Sequence, residues 1–170
     1  MYDYVFSKPT DRLRWDGAMV QVRKATGDDV SALLPLVEAY WDFESISGFD
    51  SDQIARQLKR LLSEPHLGVG WIALEDDDAV GYLLAVYVFS LEHQGLTAEI
   101  DELFVSPIGR NAGVGTELLD GAHVEFARIG CTNVSLQLSR QNAAARRFYH
   151  RHGYTERASY ELLDKTLSTD

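Results

Sequence analysis

The sequence contains a single cysteine among its 170 residues, and this scarcity excludes several classes of protein. A disulfide within the chain needs two cysteines, and cysteine-rich metal sites need more. His150 and His152 have no acidic or cysteine companions at metal-ligand spacing, so we expect no metal site. Ser106 and Ser139 lack the G-x-S-x-G setting of a serine hydrolase.

Long apolar runs are also absent from the sequence. No run approaches the roughly 20 residues that a membrane-spanning helix needs. The segment 1–17 lacks the continuous apolar core of a signal peptide. We therefore expect a cytoplasmic protein with no membrane partner.

Positive charge is scarce as well, with 16 Lys and Arg against 26 Asp and Glu and a formal net charge of −10. This excess disfavours nucleic acid as a partner and favours small cations, although it also fits a simple role in solubility. The remaining composition, 45% hydrophobic and 25% charged, is typical of globular proteins. We expect an N-terminal extension over 1–18 and a single domain over 19–170.

Hydrophobic periodicity predicts a mixed α/β domain. Segments in which apolar residues recur at helical spacing follow, or are followed by, segments in which apolar and polar residues alternate. Turn residues separate the two kinds of segment. Strands are predicted at 19–26, 69–75, 79–89, 98–105 and 134–138, with one or two closing strands in 154–163. Helices are predicted at 26–41, 54–62, 114–126 and 142–152. The segment 90–97 is predicted to be a loop and a possible lid.

The glycine-rich segment 106–119, "SPIGRNAGVGTELL", lies between a predicted strand and a predicted helix. It lacks the lysine of a nucleotide-binding P-loop, and its close glycine pair comes last, which is the reverse of the dinucleotide fingerprint. Backbone N–H groups at the start of a helix attract anions, and Arg110 adds positive charge. The segment alone fits an ordinary turn as well as it fits a phosphate site.

Two motifs together resemble the GNAT superfamily of N-acetyltransferases. Arg110, Gly113 and Gly115 match the fixed positions of its acyl-CoA loop, [QR]-x-x-G-x-[GA]. The segment 142–154 resembles its pattern N-x-x-A-x-x-[FL]-Y-x-x-x-G-[FY], and 20–41 resembles its first strand and helix.

The resemblance implies an α/β (α+β) GNAT fold, with a mixed, mostly antiparallel central sheet of six to seven strands flanked by about four helices. It also implies that the enzyme is an acyl-CoA-dependent N-acyltransferase. Many superfamily members form homodimers, and the closing strands or residues 1–18 could supply such a contact here.

Acetyl-CoA is the co-substrate that the resemblance implies, with no metal. Its pyrophosphate would lie at the glycine loop, and its pantetheine arm would pair with the strand before the loop. Backbone N–H groups there would bind the thioester carbonyl. The implied acyl-CoA-binding residues are Phe104, Val105, Arg110, Asn111, Ala112, Gly113, Val114, Gly115, Thr116, Asn142 and Ala145. Asn142 is also a good helix N-cap.

Three carboxylates on the strand before the loop are candidates to accept a proton from the attacking amine. An alkyl amine has a pKa of about 10.4, so it must lose a proton before it attacks. Asp101 and Glu102 are the catalytic candidates that the resemblance implies, with Glu99 in reserve as a substrate-binding group. Period-two alternation puts Glu99 and Asp101 on one face and Glu102 on the other, unless a bulge intervenes. Each carboxylate also fits a plain surface ion pair.

Tyr149 is the candidate general acid for the departing thiolate. It lies four residues after Ala145, so the two share one helix face. A phenol with a pKa of about 10 can donate a proton to a thiolate. The thiolate of a thiol with a pKa of about 8.5, however, already leaves readily without that proton. Positioning of the sulfur is therefore an alternative role, and core packing is another.

The amine is expected to bind at the first helix–loop–helix, where aromatic rings and carboxylates occur together. The candidates are Tyr40, Trp41, Phe43 and Glu44. Rings and carboxylates suit a cation, although such aromatics also fit core packing. The predicted substrate is a primary amine of a small molecule or peptide. The alternatives are a protein N-terminus or lysine side chain, or a catalytically silent acyl-CoA-binding regulatory module.

Overall fold

A computed structural model describes residues 13–15, 18–110 and 112–167. The elements are β1 (Leu13–Trp15), β2 (Ala18–Lys24), α1 (Val30–Glu44), α2 (Ser51–Ser63), β3 (Gly68–Glu75), β4 (Asp78–Ser90), β5 (Gly95–Val105), α3 (Val114–Arg128), β6 (Asn133–Leu136) and α4 (Ala143–Arg151). The chain divides between Leu136 and Gln137 into two compact units, which are described separately.

The first unit contains a mostly antiparallel sheet with the strand order β1-β2-β3-β4-β5-β6. Only the β5–β6 pair is parallel among these neighbours. Five of the described strands have four or more residues, and β1 has three. The predicted α/β class is therefore confirmed, with a strand number at the low end of the expected range.

Helices cover both faces of the sheet. Leu33 of α1 belongs to a core cluster that includes Tyr82 on β4. On the opposite face, the ring of Trp71 packs against Phe126 of α3 with 5.9 Å between ring centroids. Gly81 faces α3, because a Cβ there would lie 3.3 Å from the side chains of Val114 and Leu118. The period-two alternation of the strands thus produces two apolar faces, as expected for a covered sheet.

The predicted β3–β4 hairpin is present. Asp76 and Asp77 form its turn, and both have positive φ, 47° and 74°. Two successive residues of positive φ match the twist of the flanking strands, and aspartate tolerates that region better than most residues. The next predicted loop, 90–97, is shorter than expected. β4 continues to Ser90 and β5 begins at Gly95, so only the turn 91–94 separates them.

β1 was not predicted. Leu13–Trp15 pairs antiparallel with Ala18–Val20, within the segment assigned to an N-terminal extension. A strand of three residues is too short to give a readable alternation. Residues 1–12 and 16–17 of that extension lie outside the described residues.

The prediction of closing strands in 154–163 is wrong. The structure describes this segment and shows no strand there. Tyr160, Leu162 and Leu163 are exposed by 62%, 66% and 87%. A strand needs partners for its backbone N–H and C=O groups, and local alternation cannot show whether a partner exists.

No described helix is long and apolar enough to cross a membrane.

Candidate active site

A β-bulge in β5 brings two predicted catalytic carboxylates together. Leu84 of β4 pairs with Glu102, whereas the next residue, Ala85, pairs with Ile100. Asp101 is therefore the extra residue on β5. Such a residue interrupts the alternation of side chains. Consequently Asp101 and Glu102 line the same cleft, although strict alternation would have separated them.

The cleft has a volume of about 510 Å³ and lies in the first unit. Trp41 comes from α1, Leu58 and Leu61 come from α2, and Leu84 comes from β4. The walls are mostly apolar, and the two carboxylates of β5 provide the negative charge. A concave apolar pocket with a few convergent polar groups is typical of a small-molecule site.

Glu102 is fixed in the cleft by two hydrogen bonds. Tyr82 Oη donates to Glu102 Oε2 at 2.6 Å, and Trp41 Nε1 donates to Oε1 at 3.3 Å. Burial raises the pKa of Glu102 above its ordinary value, while the hydrogen bond from Tyr82 acts in the opposite direction. Glu102 is therefore a positioned carboxylate with a defined orientation.

Asp101 has different surroundings. Its side chain remains accessible to solvent, and no described residue donates a hydrogen bond to it. The adjacent protein disfavours its charged form and raises its pKa, and the negative charge of Glu99 raises that pKa further. Asp101 is thus the carboxylate of the pair with access to an incoming proton.

Of the predicted acceptor residues, Trp41 lines the cleft and meets Glu102. Tyr40 packs edge-on against Phe104 at 6.1 Å, and burial raises the pKa of Tyr40 to about 12. Phe43 is 56% exposed. The cleft lining, within the described chain, does not include Tyr40, Phe43, Glu44 or Glu99.

Past the bulge, β5 separates from β6, and the edge of β5 that faced β6 is called the splayed edge. The ladder between β5 and β6 ends at the pair Ile100–Leu136, whereas the ladder between β5 and β4 continues to Val105. Ser106 N–H donates to Val80 O on the β4 side at 2.9 Å. In a strand, the N–H and C=O of one residue point to the side opposite those of the next residue. The N–H and C=O of Val105 therefore point away from β4, toward the splayed edge.

The glycine loop continues from this edge. Arg110 Nε donates to Val105 O at 3.1 Å, and its guanidinium lies 5.6 Å from the ring centroid of Phe43 and 5.9 Å from that of Phe104. Arg110 thus lies at the splayed edge, against aromatic side chains. Asn111, the next predicted donor-site residue, lies outside the described residues.

Gly113 is the residue just before α3. Its backbone has the left-handed conformation, with a φ of 80°, and no side chain caps the helix there. The N–H groups of Thr116 and Glu117 donate to Gly113 O. The earlier N–H groups of Val114 and Gly115 have no carbonyl within the helix to accept from them. The Val114 side chain is buried against the sheet, so only its backbone can face a ligand. Ala112 adjoins this helix start. Together these residues form an uncapped helix N-terminus that suits an anion.

The second unit contains the remaining predicted residues. Asn142 caps α4, because its Oδ1 accepts from the N–H of Ala145 at 3.0 Å. Tyr149 is buried, and its ring packs against Phe148 at 5.2 Å and Tyr154 at 5.4 Å between centroids. The predicted helix, its cap and the left-handed Gly153 beyond its end are therefore all present.

Metal ligands are not assembled in the described residues, which contain no cluster of three or more His, Cys, Asp or Glu that could hold an ion. His150 does have an acidic companion that the sequence did not reveal, since Nε2 lies 2.9 Å from Glu156 Oε1. A single carboxylate beside one imidazole provides too few ligands for a metal site.

Tyr82 is the site residue that sequence reasoning missed. It lies within an apolar strand and reads as a core aromatic. Its contact with Glu102 depends on the register between β4 and β5, with Tyr82 opposite Phe104. No local sequence signal specifies that register.

Known proteins share both the sequence pattern and the fold. The acetyltransferase (GNAT) family matches residues 33–154. An uncharacterized N-acetyltransferase of Bacillus subtilis is 30% identical over 138 residues, which cover 81% of this chain and 91% of that relative.

Two solved structures are also similar. An integron cassette protein from the mobile metagenome of Cole Harbour Salt Marsh has a TM-score of 0.77 and 29% identity, covering 88% of this chain and 92% of its own. An aminoglycoside N-acetyltransferase in complex with CoA has a TM-score of 0.74 and 18% identity, covering 89% and 96%. The chain therefore belongs to the GNAT family and is an acyl-CoA-dependent acetyltransferase.

Proposed function

We propose that the protein transfers an acetyl group from acetyl-CoA to the primary amine of a small molecule or peptide, by direct attack within a ternary complex. The observation that carries this proposal is the pair Asp101 and Glu102, which the bulge in β5 brings into one apolar cleft. A carboxylate pair beside an indole suits a cationic amine, through charge and through contact with the ring.

Acetyl-CoA binds along the splayed edge of β5 and the start of α3. The pantetheine arm lies along this edge of β5, and the N–H of Val105 meets the thioester carbonyl. The free N–H groups of Val114 and Gly115 hold the pyrophosphate, to which the helix dipole adds attraction. The fold likeness to an acetyltransferase solved with CoA supports acetyl-CoA as the donor.

Asp101 accepts the proton of the amine, directly or through water, while Glu102 and Trp41 orient the amine. A carboxylate with a raised pKa is a stronger base than an ordinary one, and Asp101 has both the raised pKa and access to solvent. Glu102 is less suited to this role, because the hydrogen bonds from Tyr82 and Trp41 stabilise its charged form and lower its pKa.

Bond changes balance without a further reactant. The bound ammonium first gives one proton to Asp101, and the neutral amine nitrogen then forms a bond to the thioester carbonyl carbon. As the C–S bond breaks, the nitrogen loses a second proton to solvent. The thiolate of CoA leaves with its electron pair and takes up a proton. We assign the donation of that proton to Tyr149 on the strength of its motif, with Phe148 and Tyr154 packed against its ring.

Replacement of Gly113 tests the donor site. Gly113 and Gly130 flank α3 and have nearly the same φ, 80° and 82°, so alanine introduces the same backbone strain at either end. We expect Gly113→Ala to weaken acetyl-CoA binding at least about tenfold in calorimetry, because its strain and its Cβ disturb the N–H groups that hold the phosphates. Gly130→Ala controls for stability. Equal affinities in the two variants would place the phosphates elsewhere.

Removal of the Tyr82 hydroxyl tests the role of Glu102. The hydrogen bond from Tyr82 lowers the pKa of Glu102, so Tyr82→Phe raises that pKa. Glu102 is then protonated at a higher pH and holds the ammonium less well. A hydrogen bond to a charged group is worth about 1.5–3 kcal/mol, so the acid limb of kcat/KM moves up by about one pH unit or more.

Tyr87→Phe is the matched control for this measurement. It removes a hydroxyl from the same strand, beside Glu125 and Phe126 instead of Glu102. An unmoved acid limb in Tyr82→Phe would show that Glu102 does not hold the amine.

Tyr149→Phe tests proton donation to the thiolate. We expect kcat to fall about tenfold or more while the Kd of acetyl-CoA changes less than threefold, since a general acid acts in the transition state. Stopped-flow thiol release and calorimetry separate the two quantities. Tyr154→Phe, which removes a hydroxyl from the neighbouring ring, should keep kcat near the wild-type value. A Tyr149→Phe enzyme with unchanged kcat would leave this tyrosine a packing role only.

A further inference from the structure

We infer that the acceptor is a monoamine with an apolar body, such as an alkylamine or arylalkylamine, rather than a polycation. This inference deepens the proposed function and rests on it, because the cleft is an acceptor site only if the protein acetylates amines. The distribution of charge and apolar surface along the cleft carries the inference.

Among the described lining residues, negative charge is confined to β5. Asp101 and Glu102 are adjacent in sequence, so both serve a single ammonium group. The other walls carry mainly aliphatic side chains from α1, α2, β4 and the turn before β3, together with the neutral amide of Gln57. The aliphatic residues are Val37, Ile54, Leu58, Leu61, Leu67, Leu84 and Val86. A ligand whose amine meets the carboxylates must therefore place the rest of its body against these side chains.

A second positive charge on the acceptor would have no further counter-ion among the lining residues that the structure describes. Arg60 is the cation among the described lining residues, and its Nε pairs with Glu64 Oε1 at 3.0 Å. A further ammonium would meet aliphatic carbon, the neutral amide of Gln57 or the positive charge of Arg60. It would lose hydration without gaining a counter-ion, which is unfavourable.

Apolar bodies gain affinity from the same walls. Burial of one methylene group is worth about fourfold in affinity when the cleft removes it from water. The volume of about 510 Å³ is within the range of small-molecule sites and accommodates several methylenes or one aromatic ring. Selectivity for apolar monoamines therefore has two causes. The walls of the cleft stabilise apolar groups, and their described residues offer no counter-ion to a second positive charge.

The test is an amine panel with saturating acetyl-CoA, followed by release of free thiol. The panel contains the n-alkylamines from propylamine to hexylamine, phenethylamine, spermidine, kanamycin, 2-aminoethylphosphonate and a lysine-containing peptide. We expect kcat/KM to rise by up to about fourfold for each added methylene. Hexylamine and phenethylamine should exceed spermidine and kanamycin by at least about 100-fold, since each polycation buries an unpaired charge.

Val86→Thr tests the apolar wall without changing its shape much. It places a hydroxyl in the cleft, so the rise from propylamine to hexylamine should flatten, with hexylamine losing about fivefold and propylamine less than twofold. Val88→Thr is the matched control. Val88 is on the same strand, is 44% exposed and is not part of the cleft lining in the described chain. It should leave the whole series unchanged.

The outcomes separate this inference from the proposed function. Faster reaction of spermidine, kanamycin, the phosphonate or the peptide than of hexylamine would overturn the inference and leave amine acetylation established. A flat alkyl series in the wild type would also overturn it. Absence of thiol release with every amine would overturn the proposed function, and the inference with it.

Discussion

At Asp101, β5 has one residue more than the strand paired with it, and the geometry of the site depends on that extra residue. Without it, Asp101 and Glu102 would lie on opposite faces of a sheet that helices cover on both sides. With it, both carboxylates line the cleft beneath α1 and α2. Partial desolvation by the surrounding protein raises both pKa values, so the bulge affects the basicity of the site as well as its position.

The two carboxylates have different roles because their surroundings differ. Glu102 accepts hydrogen bonds from Tyr82 and Trp41, which fix its orientation and partly offset the effect of burial. Asp101 is accessible to solvent and lies beside the charge of Glu99, so it is better placed to exchange a proton. The same strand continues to the splayed edge at Val105 and then to the uncapped start of α3. One continuous stretch of chain therefore supplies the proposed acceptor, carbonyl and phosphate contacts.

Sequence reasoning predicted the local structure that adjacent residues specify. The glycine loop, the cap of α4 by Asn142 and the β3–β4 hairpin are each specified by a few adjacent residues. It could not predict what depends on register between strands. The bulge at Asp101, the contact of Tyr82 with Glu102 and the lack of strands in 154–163 all follow from which backbone groups find partners.

The most direct test of this account compares Asp101→Asn with Glu102→Gln in single-turnover acetyl transfer, as a function of pH and with saturating acetyl-CoA. We predict that the wild-type rate at saturating amine rises with pH as Asp101 loses its proton, along an acid limb above the ordinary aspartate pKa of about 3.9. Asp101→Asn should lose this limb and about 100-fold or more in rate. Glu102→Gln should mainly raise the KM for the amine. Full turnover in Asp101→Asn, with the rate lost in Glu102→Gln instead, would contradict the assignment of Asp101 as the base.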